Sequence, residues 1–387
     1  MTSKLAVLHR VCAGYETAQF RKLAATEGWQ TRFFIGEDLP HSRVRNAKDL
    51  TGLDVVRLPT RFVRIPGRVL TDHCGLGAAL DAFEPDVLLC EGESNVLSNL
   101  KALAWRRRHR HVGMVHFTIG GMPGEERTWL RRAALRRLHS GFDSYVAFSS
   151  FGKRALVALG HPPDRVFVAP FVCDTDAQLR AAGDCRLTRA EARRRLGLPE
   201  RFTAIFVGNM EPQKRVDQLL LAAEQLDPER FNIVLVGTYG REAEYRRFAE
   251  TRQMRHVFFR GFIDQDIALY YRASDTLVLP GRGGVVISEA MAHGLPPIVY
   301  QADGTERDLV AHGETGLLLE EGTPEDIRRA IERLADDPGQ AEAWGMRGRA
   351  RLEEHFSAHH TALVTMRAVE AALSSRRCDR SPQPEAT

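Results

Sequence analysis

The chain has little that would bind a metal or build a disulfide scaffold. Its six cysteines (Cys12, Cys74, Cys90, Cys173, Cys185, Cys378) are scattered, with no CxxC spacing and no Cys/His cluster. Neither a zinc site nor a disulfide framework is indicated, and a reducing cytoplasmic setting is expected. Long apolar runs are missing too. Nothing approaches the ~20 residues of a membrane span, and the opening "MTSKLAVLHRVCAGYE" lacks a signal-peptide core. Any membrane contact is therefore expected to be peripheral, at the inner face. There is no internal tandem repeat, and the net charge is only +4. No nucleic-acid partner is expected. The charge is nevertheless uneven: Lys101, Arg106, Arg107, Arg108, Arg110, Arg127, Arg131, Arg132, Arg136 and Arg137 are opposed only by Glu125 and Glu126. This is a local basic field, or equally a solvated basic face.

At 387 residues the chain exceeds the size at which one core keeps growing, so two domains are expected. Strand-like apolar runs begin at Leu5 ("LAVL"), Thr31 ("TRFFI"), Asp54 ("DVVRL"), Asp86 ("DVLLC"), Val112 ("VGMVHF") and Ser144 ("SYVAF"). Helical stretches such as "SNLKALAWRRRH" and "ERTWLRRAALRRLH" lie between them. From Phe202 the alternation restarts with "FTAIFVG", "FNIVLVG", "HVFFRG", "DTLVLP", "PPIVY" and "TGLLLE". Alternating strands and helices imply parallel sheets covered on both faces, and two such series imply two doubly wound α/β domains. The expected layout is a first domain over 1–169, a linker and one helix over 170–200, and a second domain over 201–355. A C-terminal helix over 356–375 packs back on the first domain, followed by a disordered tail at 376–387.

Open parallel sheets bind ligands outside the carboxyl ends of their strands, where glycine turns and helix N-termini approach an anion. Three strand ends carry such turns. In "FVGNMEPQKRVDQLL", Gly208 permits close approach and Lys214 opens the next helix, either as a phosphate-reaching charge or as a solvated helix-start lysine. In "PGRGGVVISEAMAHGLPPIV", the amides of Gly283, Gly284, Val285 and Val286 form a candidate phosphate nest. Glu289 follows as a ribose ligand or an ordinary first-turn acid. In "VGMVHFTIGGMPGEE", His116 stands at the end of a strand, as a site residue facing a cleft or as a structural histidine.

Together "VGNMEPQKRVDQLL", "VFFRGFIDQDIALYYRASDTLVLP", "SEAMAHGLPPIV" and "ERDLVAHGETGLLLE", in that order and spacing, resemble the nucleotide-sugar-binding half of the retaining glycosyltransferases of family four. "SSFGKRALVALGHPPDRVFVAPFVCDT" looks like that family's last N-domain strand and crossover. The resemblance covers about residues 85 to 335. It implies the GT-B fold, two Rossmann-like doubly wound domains facing across a cleft. It implies transfer from a UDP- or GDP-linked sugar with retention, needing no metal and no cofactor. By resemblance Lys214 contacts the donor diphosphate, the amides after Gly283 form the phosphate loop, and Glu289 binds the ribose. Phe262 and Ile263 read the base through their backbone, His116 lies beside the transferred sugar, and Ala13-Gly14 takes the place of the first glycine loop. Lys214 and His116 are thus the expected catalytic residues.

Three positions depart from the family pattern. Gly281 stands where the family's first signature glutamate would bind the donor sugar, Asn209 replaces an arginine after Gly208, and the first loop has one glycine rather than a pair. The glycine at 281 predicts either a deoxy or modified donor sugar, or hydroxyls held by the Gly283-Gly284 amides. No residue pair qualifies as a general base. The acceptor is expected to be a glycan or lipid-linked intermediate reached through an anionic membrane surface at Arg131, Arg132, Arg136 and Arg137, or a small natural product. A sugar-nucleotide epimerase, a hydrolase and a non-catalytic binding protein are the readings from other classes.

Overall fold

The computed structural model describes residues 2–38, 45–65, 68–92, 95–124, 128–263 and 265–378. The chain forms two compact units. The first runs to Phe171 and resumes at Ala358, and the second is Val172–Ser357.

The strands of the first unit are β1 (Ser3–His9), β2 (Trp29–Ile35), β3 (Asp54–Arg57), β4 (Thr60–Ile65), β5 (Arg68–His73), β6 (Val87–Glu91), β7 (Gly113–Thr118), β8 (Ser144–Ala147) and β9 (Val166–Val168). Seven of them form a parallel sheet in the order β3-β2-β1-β6-β7-β8-β9, while β4 and β5 pair as an antiparallel hairpin. The hairpin was not expected from the apolar pattern, whereas β9 is the last N-domain strand that the resemblance implied. Thr60–Ile65 is half-exposed and carries two arginines, so it lacks the buried run that marks a central strand.

Burial on both faces follows from the two-residue period. Leu5, Val7, Phe33, Ile35, Val87, Leu89, Val115 and Phe117 pack into one core, and their neighbours Ala6, Leu8, Phe34, Leu88, Cys90 and Met114 into the other. The first core is closed by the C-terminal helix Ala358–Cys378, which contributes Ala368, Val369 and Ala372. It approaches β7 so closely that a Cβ on Gly113 would lie 2.9 Å from the Ala372 carbonyl, and Ser144 Oγ donates to the Ala368 carbonyl at 2.7 Å. This helix extends through residues 376–378, which were expected to be disordered. There Arg376 is tied to Asp143. The rest of the expected tail, 379–387, lies outside the described residues.

The second unit contains β10 (Phe202–Val207), β11 (Phe231–Val236), β12 (Val257–Gly261), β13 (Thr276–Leu279), β14 (Pro297–Tyr300) and β15 (Leu317–Leu319), in the parallel order β12-β11-β10-β13-β14-β15. The stretch 170–200, expected to hold one helix, holds two: Thr175–Asp184 and Arg189–Arg195. The second is rich in arginine. A capping box between Thr188 and Glu191 starts it, and Arg193 is buried, donating to the Ala273 carbonyl at 3.0 Å and pairing with Glu200 and Asp275.

Candidate functional site in the second unit

The order of the second sheet decides where a ligand site belongs. From β10 the chain winds outward through β11 to β12, then returns to the other side of β10 for β13, β14 and β15. The winding reverses between β10 and β13, and a crevice opens beyond the carboxyl ends of these two strands. Gly208, Asn209 and Lys214 follow β10, and Gly281 to Glu289 follow β13. The topology therefore brings together two segments some 70 residues apart that sequence spacing alone left separate.

Lys214 ends a short 3₁₀ turn, Pro212–Lys214, and the helix proper starts at Val216. Arg215 between them takes φ 51°. The ammonium is not solvated. It donates to the Arg282 carbonyl at 2.6 Å and the Gly283 carbonyl at 3.2 Å, and the Arg282 N–H donates back to the Gln213 carbonyl at 3.0 Å. Burial pulls the Lys214 pKa below its ordinary value, against the opposing pull of Asp303. Two of its three N–H donors thus clamp the glycine loop, and the third is available to a ligand. Gly208 packs against the lysine stem: a Cβ there would lie 4.0 Å from Lys214 Cε. Asn209 is exposed.

The loop opens the helix Val285–Ala292, whose N-cap Gly284 has φ 79° and ψ −142°, with no side chain capping it. The N–H groups of Gly283, Gly284, Val285 and Val286 have no acceptor among the described residues. Four free amides at a helix start, beside a desolvated ammonium, make an anion site.

Glu289 lies one turn into this helix, so it is not the first-turn acid that the sequence left open. Its Oε2 accepts a 2.8 Å hydrogen bond from the Tyr271 hydroxyl, and Oε1 has no partner among the described residues. Burial raises the Glu289 carboxyl above the usual range. Tyr271 is fully buried and stacks on His293 at 4.8 Å, and His293 contacts Gln178 Oε1 at 3.0 Å. Burial pushes His293 down to about 4, so the ring is neutral. Sequence reasoning missed Tyr271 and His293. Both lay inside quoted segments, but nothing local distinguishes a tyrosine that supports a carboxylate from one that fills a core. Ile263 is half-buried, and Phe262, after β12, is 69 % exposed.

Gly281 has a steric reason of its own. A Cβ there would lie 2.4 Å from the Gln213 carbonyl oxygen and 2.6 Å from the Lys214 carbonyl carbon. The glycine is demanded by the seating of the loop on the lysine turn. The place of the expected carboxylate is filled by backbone. Beyond β14 the fully buried Glu306 accepts from the N–H groups of Asp303 and Gly304 (3.2 and 3.0 Å), and burial, then Asp303, pushes it up to about 7.

His116 and Gly14 lie in the first unit. His116 is the fourth residue of the six-residue β7, not its end, and is buried against Phe142 (4.4 Å, stacked) and His139 (4.8 Å, edge-on). Burial and the neighbouring His139 and His161 hold its pKa far below the ordinary value. It is a neutral ring packed in the core of the first unit. Gly14 starts the turn before the helix Thr17–Ala24, with open space where its Cβ would be. Two residues of the basic segment are also spent structurally: Lys101 pairs with the buried Asp72 and Arg106 with Asp143. Arg127 and the side chain of Arg131 lie outside the described residues.

The profile described as Glycosyl transferases group 1 matches residues 188–351, and that of Glycosyltransferase Family 4 matches residues 18–177. The chain belongs to the family-four glycosyltransferases. As a family-four chain it is 32% identical over 221 residues to the D-inositol 3-phosphate glycosyltransferase of Thermomonospora curvata, covering 52% of this chain and 51% of that one. It is 28% identical to the GDP-mannose-dependent alpha-(1-6)-phosphatidylinositol monomannoside mannosyltransferase of Mycolicibacterium smegmatis, over 67% of this chain and 69% of the other. The matched stretch spans about half the length of the inositol-phosphate relatives. Among solved structures, sucrose-phosphate synthase of Thermosynechococcus elongatus superposes with TM-score 0.71 at 20% identity, covering 96% of this chain and all of that one. The Anabaena protein HepE, in complex with UDP and glucose, does so with TM-score 0.70 at 19%, covering 95% and 99%. The fold of this family-four chain is GT-B.

Proposed function

We propose that this family-four chain moves a sugar from an NDP-sugar to an acceptor hydroxyl, with retention at the anomeric carbon. One observation carries the reading: four unpaired amides and the Lys214 ammonium meet where the second sheet reverses its winding, with the open oxygen of Glu289 one helical turn further. The amides and Lys214 bind the diphosphate and stabilise the charge that grows on it as the sugar leaves, a preorganised electrostatic contribution. Glu289 Oε1 accepts from ribose hydroxyls, while Oε2 stays on Tyr271. Phe262 and Ile263 lie beside the base. Because these groups supply the positive field themselves, transfer is expected to persist in EDTA.

The names of the relatives support a phosphorylated inositol as acceptor class, either free or as a lipid headgroup. A membrane route is favoured by the helix Trp129–His139. Trp129 and Leu130 at its start are 74 % and 61 % exposed, and the side chains of Arg132, Arg136 and Arg137 are exposed without an ion pair among the described residues. Exposed aromatic and leucine side chains beside free arginines match an anionic interfacial surface.

The test is NDP release from UDP- and GDP-sugars with and without inositol-phosphate acceptors, for wild type and Lys214→Ala. Acceptor-dependent release is expected, and Lys214→Ala should cut it by roughly 100-fold or more. Release independent of acceptor would indicate a hydrolase. Absence of NDP binding would overturn the reading altogether.

A further inference from the structure

The first sheet has a winding reversal of its own. From β1 the chain goes outward to β2 and β3, and β6 then returns to the other side of β1, so a second crevice opens beyond the carboxyl ends of β1 and β6. Arg10 is the first residue after β1, and Glu91 is the last of β6. The backbone of Arg10 is held on both sides: its N–H donates to Glu91 Oε2 at 2.7 Å, and its carbonyl accepts from Gly36 N–H at 2.9 Å.

The rest of this edge is equally fixed. Asn46 accepts from the Cys12 N–H at 2.9 Å and donates to the Gly36 carbonyl at 3.0 Å. Gly36 itself leaves no room for a side chain, since a Cβ would lie 2.6 Å from Thr60 Oγ1 and 2.7 Å from His73 Nε2.

Against this rigid frame the Arg10 guanidinium stands unused. It makes no hydrogen bond or ion pair among the described residues, and its Nε is buried without a partner. The carboxylates nearby are committed elsewhere. Glu91 Oε2 also takes Asn95 Nδ2 at 3.1 Å and lies 3.4 Å from His9 Nδ1. Glu16 accepts from the Ala13 N–H at 2.7 Å and lies 3.9 Å from His9 Nε2. An arginine whose charge is permanent and half-buried, which attracts Glu16 but forms no ion pair with it, stands at a strand-end crevice arranged for an anion supplied from outside, and its planar fork suits phosphate oxygens.

We propose that Arg10, at the β1/β6 crevice of the first unit, binds a phosphate carried by the acceptor, so that the acceptor is a phosphorylated polyol. This rests on the glycosyl-transfer reading for the word acceptor, but the anion site itself does not. A free polyol phosphate and the phosphodiester of a lipid headgroup share this chemistry.

Calorimetric titration of the full chain separates these points, with UDP and then GDP added first at saturation so that the second unit's anion site is occupied. The probes are inositol, D-inositol 3-phosphate and glycerophosphoinositol. Wild type is expected to bind at least one phosphate-bearing probe about 10- to 100-fold more tightly than inositol, as a charged hydrogen-bonded pair contributes. Arg10→Gln should abolish that preference and Arg10→Lys should keep part of it. Both should melt close to wild type, because the guanidinium makes no hydrogen bond or ion pair among the described residues and only a weaker attraction to Glu16. Tighter binding of the monoester points to a free substrate, and tighter binding of the diester to a headgroup; both support the site. A wild type without preference for phosphate, or an Arg10→Gln variant that retains it, overturns the proposal. If neither nucleotide binds while the Arg10-dependent preference persists, the donor reading fails and the anion site stands.

Discussion

Replacing Gly281 with alanine adds a single carbon at the point where the glycine loop rests on the lysine turn. The new Cβ would lie 2.4 Å from the Gln213 carbonyl oxygen, against a normal carbon–oxygen contact of about 3.3 Å. The loop must therefore withdraw by roughly 0.9 Å, and what it meets is backbone, with no flexible side chain able to swing aside. Withdrawal breaks the 3.0 Å bond from the Arg282 N–H to the Gln213 carbonyl and pulls the Arg282 and Gly283 carbonyls off Lys214 Nζ. Overpacking costs about 1–3 kcal/mol and a lost backbone hydrogen bond about 1 kcal/mol. A total of about 2–4 kcal/mol lowers the melting temperature by roughly 5–15 °C for a unit of this size. Misplaced amides should weaken UDP or GDP binding by at least about tenfold, equivalent to ~1.4 kcal/mol. The assay is thermal unfolding together with calorimetric titration of nucleotide. Gly183→Ala serves as control, since a Cβ there meets nothing within 4 Å and the residue is inside the helix Thr175–Asp184; it should stabilise slightly. Wild-type melting and affinity in Gly281→Ala would refute the argument that close backbone approach selects this glycine.

Three further outcomes are expected. Tyr271→Phe removes the hydroxyl that stabilises the Glu289 carboxylate, so the already raised Glu289 pKa rises further. Nucleotide affinity should then fall by about 5- to 30-fold, the loss growing as pH is lowered and more of the Glu289 carboxyl is protonated; a pH-independent loss would contradict this. His116 has a folded pKa far below its unfolded value of about 6.5, so the unfolded chain binds the proton first, and stability present above that pH is lost as pH falls below it. In melting curves from pH 5 to 7.5, His116→Phe should reduce that acid lability while leaving sugar transfer near wild type; a collapse of transfer at unchanged stability would restore a role for the ring. Finally, co-sedimentation with anionic vesicles should fade with salt, and Arg132, Arg136 and Arg137 should each contribute about 1 kcal/mol; equal binding to neutral vesicles would exclude the electrostatic surface.

The two α/β units and all six strands of the second sheet were legible in the sequence. A parallel strand covered on both faces must be apolar at successive positions, and "FNIVLV" can satisfy little else. The glycine loop after β13 was legible for a similar reason, because the residue types that leave amides open at a helix start are few. Sequence alone could not separate a strand-end histidine from a mid-strand one. Strand ends shift by a residue or two, and that shift places His116 inside its strand, stacked on Phe142. Only the tertiary structure could explain Gly281, since the atoms that exclude a side chain there belong to Gln213 and Lys214. The pairing of Tyr271 with Glu289 and the isolation of Arg10 were likewise beyond local pattern. Hydrophobic periodicity is a property of neighbours in the chain, but whether a polar group is satisfied depends on what the strand order brings beside it. The composition and periodicity of this chain therefore determined its layers and the edge on which ligands are expected. Which polar groups on that edge remain free to bind them was decided by the folded backbone.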